Sequence, residues 1–352
     1  MAITLGSITD LAALGFDDII DVRSPAEHAL DHLPGAISLP VLSDAERARV
    51  GTLHHQVDSF TARKTGAALV ARNAAHHIET VLHDRPGNWR ALVYCWRGGM
   101  RSGAFATILS QIGWRVETLA GGYRAWRRLV IEALTTRDIR APVVLLDGNT
   151  GSAKTELLAL LRARGLQVID LEGLANHRGS VFGHMGAQPA QTGFDTRLAL
   201  ELAALDPGRP VVIEAESAKV GEINLPARLW AAMKTAPRVA IRAGLPARAA
   251  YLARAYADVS ADPARLAASI ERLRPLQPAT RIAGWHALAQ QGAFEALAAG
   301  LMEHHYDPRY ARQRGSRPPP VAEVAAADLS PAALPGLAAR VADAVLSLDA
   351  RS

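Results

Sequence analysis

The 352-residue chain is poor in cysteine and lysine, and it has no long apolar run. Its one cysteine, Cys95, excludes a disulfide within the chain. A lone cysteine is either a small buried hydrophobe or a reactive thiol, and its neighbours must decide between the two. No apolar run approaches the roughly 20 residues that cross a bilayer, and the opening MAITLGSITD lacks the pattern of a signal peptide. We therefore expect a cytoplasmic protein that does not contact a membrane.

Lysine occurs only at positions 64, 154, 219 and 234, so arginine is the default cation of this chain. A lysine inside a glycine-rich loop, as at Lys154, therefore carries information about function. The net charge of +5 and a pI of about 9.6 weakly indicate a polyanionic partner, because phosphate backbones bind Lys and Arg with release of counterions. Hydrophobic residues make up 49% and charged residues 21%, as in an ordinary globular protein.

Short apolar runs alternate with helical spacing, which predicts an α/β fold with largely parallel sheets. Predicted strands occupy residues 17–22, 36–39, 91–94, 143–146, 167–169, 210–214 and 238–241. Helical spacing occupies residues 63–82, 101–112 and 246–301, and a terminal helix is expected from about residue 331. The basic, proline-rich residues 312–321 are expected at the surface. An arginine-rich stretch before Pro142 marks a boundary, so the predicted divisions are 1–135, 136–245 and 246–352, the last helical with a basic segment.

The cysteine lies in a loop suited to holding an anion. Cys95 ends an apolar run, at the strand end where open α/β sheets bind ligands. Gly98 and Gly99 let the backbone curl so that its N–H groups point inward, and a helix begins directly after them. Arg97 and Arg101 add positive charge. Such surroundings lower the pKa of a thiol, which makes Cys95 a candidate nucleophile for sulfur, selenium or phosphoryl transfer.

Three motifs in this half of the chain resemble the rhodanese family. They are DVRSP with HLPGA at 21–36, the cysteine loop, and LAGGYRAW at 119–126. The resemblance implies a rhodanese-like parallel-sheet domain. Asp21 and Arg23 in the first motif are expected to hold the fold together by hydrogen bonds rather than to act on a substrate.

The cysteine loop departs from the usual rhodanese pattern in its length. From Cys95 to Arg101 there are six steps, one more than is usual. The longer loop resembles that of the dual-specificity phosphatases, which hold a phosphate, although those place a histidine where Tyr94 stands here. The pocket is therefore expected to suit a phosphate-bearing donor.

A second anion-binding loop follows the predicted strand at 143–146 and precedes a helical run. Strand, glycine-rich loop and helix in this order are the context of a P-loop, whose backbone N–H groups surround phosphate oxygens. Lys154 would reach the phosphate, and Thr155 could hold a Mg²⁺. Ala153 replaces the second glycine of the motif, which favours anion binding over ATP hydrolysis. The predicted phosphate-binding residues are Gly148, Asn149, Thr150, Gly151, Ser152, Lys154 and Thr155.

Two further groups are candidates for the same site. The strand at 210–214 ends in Glu214, with Glu216 beyond it, and these carboxylates could hold a metal-bound water or simply be solvated. The polar run at 170–183 contains His177, which is either a general base or a structural loop histidine. Its neighbour Arg178 is a candidate phosphate clamp.

The complete order of motifs resembles the tRNA 2-selenouridine synthase family. It runs from the rhodanese motifs through GNTGSAKT at 148–155 and DLEGLANHRGS at 170–180 to HYDPRY at 305–310. The resemblance implies a transferase that converts wobble 2-thiouridine to 2-selenouridine in the tRNAs for lysine, glutamate and glutamine. It implies S-geranylation by geranyl diphosphate and then replacement of the geranylthio group with selenium from selenophosphate.

On this resemblance the Lys154 loop would hold geranyl diphosphate, and Cys95 would handle the selenium donor as a Cys95–Se–H species. The arginines at 124–140 and 309–317 would meet the tRNA backbone. Trp96, Trp126 or Tyr310 could stack on a base or belong to a core. A monomer without a tightly bound cofactor is expected, with Mg²⁺ as the candidate ion.

Three other functions stay open at this point. The P-loop could use ATP in a fusion with a rhodanese-type sulfurtransferase. Cys95 could carry sulfur between partners while the P-loop only anchors tRNA. The long cysteine loop could also belong to a phosphatase.

Overall fold

The chain forms two compact units, each built around a parallel β-sheet. A computed structural model describes residues 2–178, 182, 186–314 and 318–349. The first unit comprises Met1–Arg137 with Pro189–Ala203, and the second comprises Asp138–Gln188 with Ala204–Ser352. The predicted α/β class with largely parallel sheets is confirmed.

The first unit has a parallel sheet with a buried central strand. Its described strands are β1 Ala2–Ile3, β2 Asp18–Asp21, β3 Ala36–Ser38, β4 Arg90–Tyr94 and β5 Arg115–Leu119. Their spatial order is β1-β5-β4-β2-β3, and every residue of β4 except Arg90 is buried. A central strand covered on both faces needs a continuous apolar run, which residues 91–94 supply. The carboxyl end of β4 therefore delivers Cys95 to the middle of the sheet edge.

Helices of the first unit begin and end at residues that suit those positions. Helix Met100–Ile112 starts directly after the cysteine loop and stops at Gly113, which takes the left-handed conformation at φ 107°. Helix Pro25–Leu30 starts with a capping box between Ser24 and Glu27, which holds the Glu27 carboxylate at the helix start. The described helices are Asp10–Ala13, Pro25–Leu30, Asp44–Gln56, Ser59–Thr80, Met100–Ile112, Gly122–Thr135 and Gln191–Ala203.

A buried ion pair ties the carboxyl end of β2 to β4. The Arg23 guanidinium donates to the Asp21 carboxylate at 2.6 Å and to the backbone oxygen of Asp31 at 2.6 Å, and Arg23 is 1% exposed. The Tyr94 hydroxyl donates to the same Asp21 carboxylate at 2.8 Å. Removing one member would leave a buried charge unpaired, which is strongly destabilising. The predicted structural role of Asp21 and Arg23 is confirmed.

The second unit also has a parallel sheet, and the glycine-rich loop follows its central strand. Its described strands are β6 Val143–Gly148, β7 Gln167–Ile169, β8 Val211–Glu214, β9 Lys219–Val220, β10 Ile223–Asn224, β11 Arg238–Ala243 and β12 Ala322–Ala326. The main sheet has the order β12-β11-β6-β8-β7, while β9 and β10 form a separate antiparallel pair. The glycine-rich loop therefore leaves from the middle of the sheet edge, as the cysteine loop does.

The helices of the second unit are concentrated between β11 and β12. They are Lys154–Ala163, Leu171–Leu174, Ala227–Thr235, Leu245–Ala255, Ala257–Ser260, Pro263–Glu271, Ala279–Gln290, Phe294–Leu301, Asp307–Arg314 and Leu334–Asp349, with a π-helical turn at Met302–Tyr306. Among the described residues, we find no helix whose length and apolar character would let it span a membrane. Residues 315–317 of the predicted basic segment lie outside the described residues. Pro318, Pro319 and Val321 of the same segment are exposed, as predicted.

Residues 246–352 do not form a division of their own, contrary to the sequence-based expectation. β12 pairs in parallel with β11 along its whole length, which completes that edge of the sheet. Helix Leu334–Asp349 buries Leu337, Val341 and Val345 in the same core as Leu146 of β6. The two regions share one hydrophobic core, so they fold as one unit.

Helix Gln191–Ala203 belongs to the first unit, although the sequence placed it inside the phosphate-binding domain. The Thr196 hydroxyl donates to the Asp31 carboxylate at 2.9 Å, and Asp195 pairs with Arg127 at 2.5 Å. Phe194 is fully buried. These tertiary contacts join segments more than sixty residues apart, and no local sequence pattern predicts them.

We predict that Gly122→Ala destabilises the first unit by about 3 kcal/mol, because a Cβ at this left-handed position would add backbone strain and a steric clash. The added atom would lie 2.2 Å from the backbone oxygen of Cys95, at φ +57°. Gly103→Ala, inside helix Met100–Ile112, is the matched control, since a Cβ there meets no atom within 4 Å and the backbone is helical. Urea unfolding checks the difference, and equal stability of the two variants would contradict the predicted clash.

Candidate functional site

The Cys95 thiol is buried and surrounded by hydrogen-bond donors. Cys95 is 4% exposed, and its Sγ accepts from the Gly99 N–H at 3.3 Å and from the Ser102 hydroxyl at 3.2 Å. Burial raises the pKa of the thiol, but the donors at Ser102, Gly99 and Arg97 outweigh it and leave the pKa below its usual value. The loop therefore favours the thiolate, which is the nucleophilic form.

The cysteine loop is held against the turn that precedes helix Gly122–Thr135. The Tyr123 and Arg124 N–H groups donate to the backbone oxygens of Cys95 and Trp96 at 2.9 and 3.1 Å. A Cβ on Gly98 would come within 2.4 Å of the Leu119 backbone oxygen. The glycines of the second and third rhodanese-like motifs are needed because the backbones of the two turns are in contact here.

The two arginines of the loop have different surroundings. Arg101 donates to the Glu27 carboxylate at 2.9 Å and is 21% exposed, so its guanidinium is held in one place. Arg97 is exposed, and so are its neighbours Trp96 and Met100. Arg101 therefore forms an ion pair with the helix that begins at Pro25, whereas Arg97 is exposed to solvent.

The glycine-rich loop at 148–155 has the backbone geometry of an anion-binding turn. Gly151 takes the left-handed conformation, and so does Ala153 at φ 58°. An alanine in this region costs about 1 kcal/mol relative to glycine, so the loop tolerates the methyl at a modest loss of stability. The Ser152 hydroxyl is buried without a hydrogen-bond partner among the described residues. An unsatisfied donor at this position is suited to a phosphate oxygen.

Lys154 lies among acidic groups and has a half-buried aromatic neighbour, Tyr310. Its Nζ donates to the Gly148 backbone oxygen at 3.0 Å and lies 5.8 Å from the centre of the Tyr310 ring. Burial lowers its pKa, but nearby Tyr310 and the carboxylates of Glu172 and Glu216 outweigh this effect, and the net pKa is raised. Lys154 therefore keeps its positive charge and can neutralise a bound phosphate.

Glu172 and Glu216 lie near this lysine, and Glu214 lies next to Glu172. The Thr155 hydroxyl donates to Glu172 at 3.1 Å, and the Glu172 N–H donates to Glu214 at 2.7 Å. Glu214 is 2% exposed, and one of its oxygens has no partner within the described part of the chain. Burial raises the pKa of Glu172, Glu214 and Glu216, and repulsion from Glu216 raises that of Glu172 further. Glu172, which the sequence reading did not single out, joins the predicted pair at the site.

Two residues far along the chain hold the glycine-rich loop in place. Arg248 donates to the Thr150 backbone oxygen at 3.2 Å and forms a two-bond ion pair with Asp307 at 2.9 and 2.8 Å. Asn149 donates its side-chain amide to Asp307 at 3.0 Å. The sequence analysis missed Arg248 and gave Asp307 no role. The signal for Asp307 was its position in the motif HYDPRY, but the motif alone does not say what its carboxylate contacts.

A cavity of about 250 Å³ lies over the loop. Its described lining includes Lys154, Thr155, Glu172, Arg178 and Tyr310. Arg178 is one of these lining residues, and its role as a phosphate clamp stays a prediction. Its guanidinium pairs with Asp258 at 3.0 Å and stacks over the Tyr256 ring. His177 is 5% exposed and does not appear in that lining, which favours its structural role over that of a general base. Gly179 and Ser180 of the same motif lie outside the described residues.

The predicted stacking aromatics differ in exposure. Trp126 is fully buried, so its stacking role is wrong and it belongs to the core. Trp96 is 39% exposed beside the cysteine loop and packs against Tyr123 at 5.2 Å between ring centres. Trp96 is therefore the aromatic side chain that the first unit offers next to Cys95.

Two family models match separate parts of the chain. Residues 8–129 match the rhodanese-like domain, and residues 141–274 match the tRNA 2-selenouridine synthase AAA domain. Together with the two loops, these matches define a protein in which a rhodanese-like unit that contains Cys95 is followed by a P-loop-like AAA unit that contains Lys154.

The relatives agree on one family. The tRNA 2-selenouridine synthase of Chromohalobacter salexigens is 33% identical over 337 residues, which are 85% of this chain and 89% of that protein. The tRNA 2-selenouridine synthase of Nitrosomonas europaea is 38% identical over 229 residues, which are 62% of this chain and 58% of that protein, less than two thirds of its length. The chain belongs to the tRNA 2-selenouridine synthase family.

A solved structure of a thiosulfate sulfurtransferase from Pseudomonas aeruginosa aligns with 15% identity and a TM-score of 0.22, over 64% of this chain and 45% of that chain. No conclusion rests on so low a score.

We predict that Ser102→Ala raises the pKa of the Cys95 thiol, because a hydrogen bond that stabilises the thiolate is lost. The thiolate forms above the pKa, so the rate of alkylation at neutral pH should fall and its pH midpoint should move upward. The pH dependence of iodoacetamide alkylation measures this. Ser110→Ala, at an exposed position of the same helix, is the control, and an unchanged midpoint in Ser102→Ala would contradict the assignment.

We predict that Asp307→Asn weakens the binding of inorganic diphosphate about 10-fold, since the loop loses the carboxylate that orders Asn149 and Arg248. Titration calorimetry measures the affinity. Asp343→Asn makes the same change at an exposed site of the terminal helix and should have no effect. Equal affinities in the two variants would mean that the ion pair does not support the loop.

Proposed function

We propose that this protein converts wobble 2-thiouridine of tRNA to 2-selenouridine in two steps, S-geranylation and then exchange of the geranylthio group for selenium. The observation that carries the proposal is the presence in one chain of two loops with the features of anion sites. One loop places hydrogen-bond donors around the Cys95 sulfur, and the other places Lys154 in a glycine-rich turn. The relatives that this chain resembles are named for this product.

The geranylation step suits the glycine-rich loop. The sulfur of 2-thiouridine would attack the first carbon of geranyl diphosphate, the carbon–oxygen bond would break, and diphosphate would leave. Departure of diphosphate from an allylic carbon needs charge neutralisation more than a strong base. Lys154 and Arg178 line the same cavity and would supply that charge, and the buried Ser152 hydroxyl would donate to a phosphate oxygen.

A Mg²⁺ ion is compatible with this step. Mg²⁺ usually binds through one or two protein oxygens together with phosphate oxygens. The hydroxyl of Thr155 and the carboxylate of Glu172 lie 3.1 Å apart and would be its protein partners. The ion would add positive charge to the leaving diphosphate, and a metal would also favour the ionised form of a carboxylate whose pKa is raised.

The selenium step suits the cysteine loop, with a revised role for the thiolate. Selenium in selenophosphate is already at the oxidation level of selenide, so a Cys95–Se–H species would require an oxidant that nothing here supplies. Attack of the Cys95 thiolate on phosphorus balances instead: the sulfur–phosphorus bond forms, the phosphorus–selenium bond breaks, and hydrogen selenide leaves. The selenide then attacks carbon 2 of the base and expels geranylthiolate, while water releases phosphate from Cys95. A loop one residue longer than the usual rhodanese loop supports a tetrahedral phosphoryl group at this position.

Binding of tRNA would use basic and aromatic side chains. Arg124, Arg128 and Arg137 are exposed on the first unit, where they would contact phosphates, and Trp96 would stack on a base next to Cys95. The tRNAs for lysine, glutamate and glutamine are the proposed substrates, because the family resemblance implies them.

The proposal is tested by incubating the protein with thiolated tRNA, geranyl diphosphate and selenophosphate, followed by mass spectrometry of the nucleosides. Wild type should yield 2-selenouridine. Cys95→Ala should stop at the geranylated nucleoside, since the donor cannot be activated. Lys154→Ala should lose geranylation by about 100-fold or more, in line with removal of a charge that stabilises the leaving group. Lys234→Ala, at an exposed site, is the matched control.

The same experiment, with separate assays of ATP turnover and of ester hydrolysis, distinguishes the alternatives. Unmodified thiouridine in the presence of bound tRNA would exclude the proposal. Turnover of ATP without tRNA would favour a sulfurtransferase joined to an ATP-using module. Release of phosphate from small esters by Cys95 in the absence of selenophosphate would favour a phosphatase.

A further inference from the structure

An apolar slot opens beside the cavity over the glycine-rich loop. Its lining includes Leu252, Tyr256, Val259, Leu266, Leu297 and Leu301. We propose that this slot binds the hydrocarbon tail of the prenyl diphosphate, and that Ala298 limits the length of the tail. The inference rests on the proposed function, because the diphosphate head must occupy the loop for the tail to enter the slot.

The slot and the phosphate cavity are continuous. Thr150, Leu252, Tyr256 and Tyr306 line both of them. Thr150 is itself a residue of the glycine-rich loop, so the slot begins where a bound diphosphate would end. A ligand that fills both spaces must be anionic at one end and apolar at the other.

The chemistry of the slot differs from that of the cavity next to it. The cavity contains Lys154, Glu172 and Arg178, whereas no Asp, Glu, Lys, Arg or His occurs among the described residues that line the slot. The slot lies on a hydrophobic core that includes Val259, Leu266 and Leu297. A polar group placed there would lose its hydrogen bonds to water, while a hydrocarbon would gain from burial.

The dimensions favour a thin chain over a ring system. The slot has a volume of about 60 Å³ and the phosphate cavity about 250 Å³. One water-sized sphere needs roughly 10–15 Å³ on this measure, so the slot has space for about four to six such spheres. A flexible isoprenoid can enter so small a space by small side-chain movements, whereas a rigid purine would require a larger opening.

One face of helix Phe294–Leu301 forms a wall of the slot. Phe294, Leu297, Ala298 and Leu301 all line it, with the i, i+3, i+4, i+7 spacing of one helical face. Ala298 is the smallest of these side chains and is 8% exposed. A larger residue at this position would fill the slot, while Ala296 on the same helix is exposed and absent from the lining.

The test compares the affinities of inorganic diphosphate, dimethylallyl diphosphate and geranyl diphosphate by calorimetry. For wild type we expect geranyl diphosphate to bind about 100-fold more tightly than inorganic diphosphate, because each buried methylene contributes roughly a fourfold gain. Ala298→Leu should reduce this ratio about 10-fold, shift the preference toward dimethylallyl diphosphate, and leave inorganic diphosphate unchanged. Ala296→Leu, the matched control, should behave as wild type.

A second variant tests the slot independently, in case Ala298→Leu does not fold. Phe294→Ala enlarges the slot and should raise the affinity for the longer farnesyl diphosphate relative to geranyl diphosphate. Unchanged affinity ratios in both Ala298→Leu and Phe294→Ala would overturn the assignment of the slot, even where geranylation of tRNA proceeds. Equal affinity of wild type for geranyl and inorganic diphosphate would overturn it as well. Failure of wild type to bind either diphosphate would overturn the proposed function itself.

Discussion

The central parallel strand is the constraint on which both sites depend. β4 and β6 each lie in the middle of their sheet, and each is followed at once by the loop that carries the chemistry. Neighbouring parallel strands end at the same edge, so the residues after them converge on that loop. The turn after β5 supports the cysteine loop, and Glu214 at the end of β8 contacts the backbone of Glu172 beside the glycine-rich loop.

The two sites use opposite electrostatics for their tasks. Around Cys95, neutral donors and a rigid backbone favour a negative charge on a soft sulfur. Around Lys154, the positive charge lies near carboxylates whose pKa is raised. Lys154 stays charged there, so it can pair with an anionic ligand. These surroundings support the proposal of a diphosphate substrate at the second site and of a phosphate-bearing donor at the first.

Sequence reasoning located the two loops because their signals are local. Glycines at turns, an apolar strand before the loop and a helix after it lie within about twenty residues of each other, and this holds for Cys95 and for Lys154. The two central strands, at 91–94 and 143–146, were predicted for the same reason. Trp126 shows the limit of this reasoning, because an aromatic residue in an arginine-rich stretch looks the same in sequence whether it faces water or the core.

The sequence by itself determined the α/β class, the order of the units, the thiol loop and the phosphate loop, since each depends on spacing within a short segment. Only the tertiary structure decided that helix Gln191–Ala203 joins the first unit, that β12 completes the second sheet, and that Arg248 and Asp307 hold the glycine-rich loop. These decisions depend on contacts between distant segments. Such contacts become favourable only after the sheets have formed and have brought the segments together. A local sequence pattern therefore does not predict them.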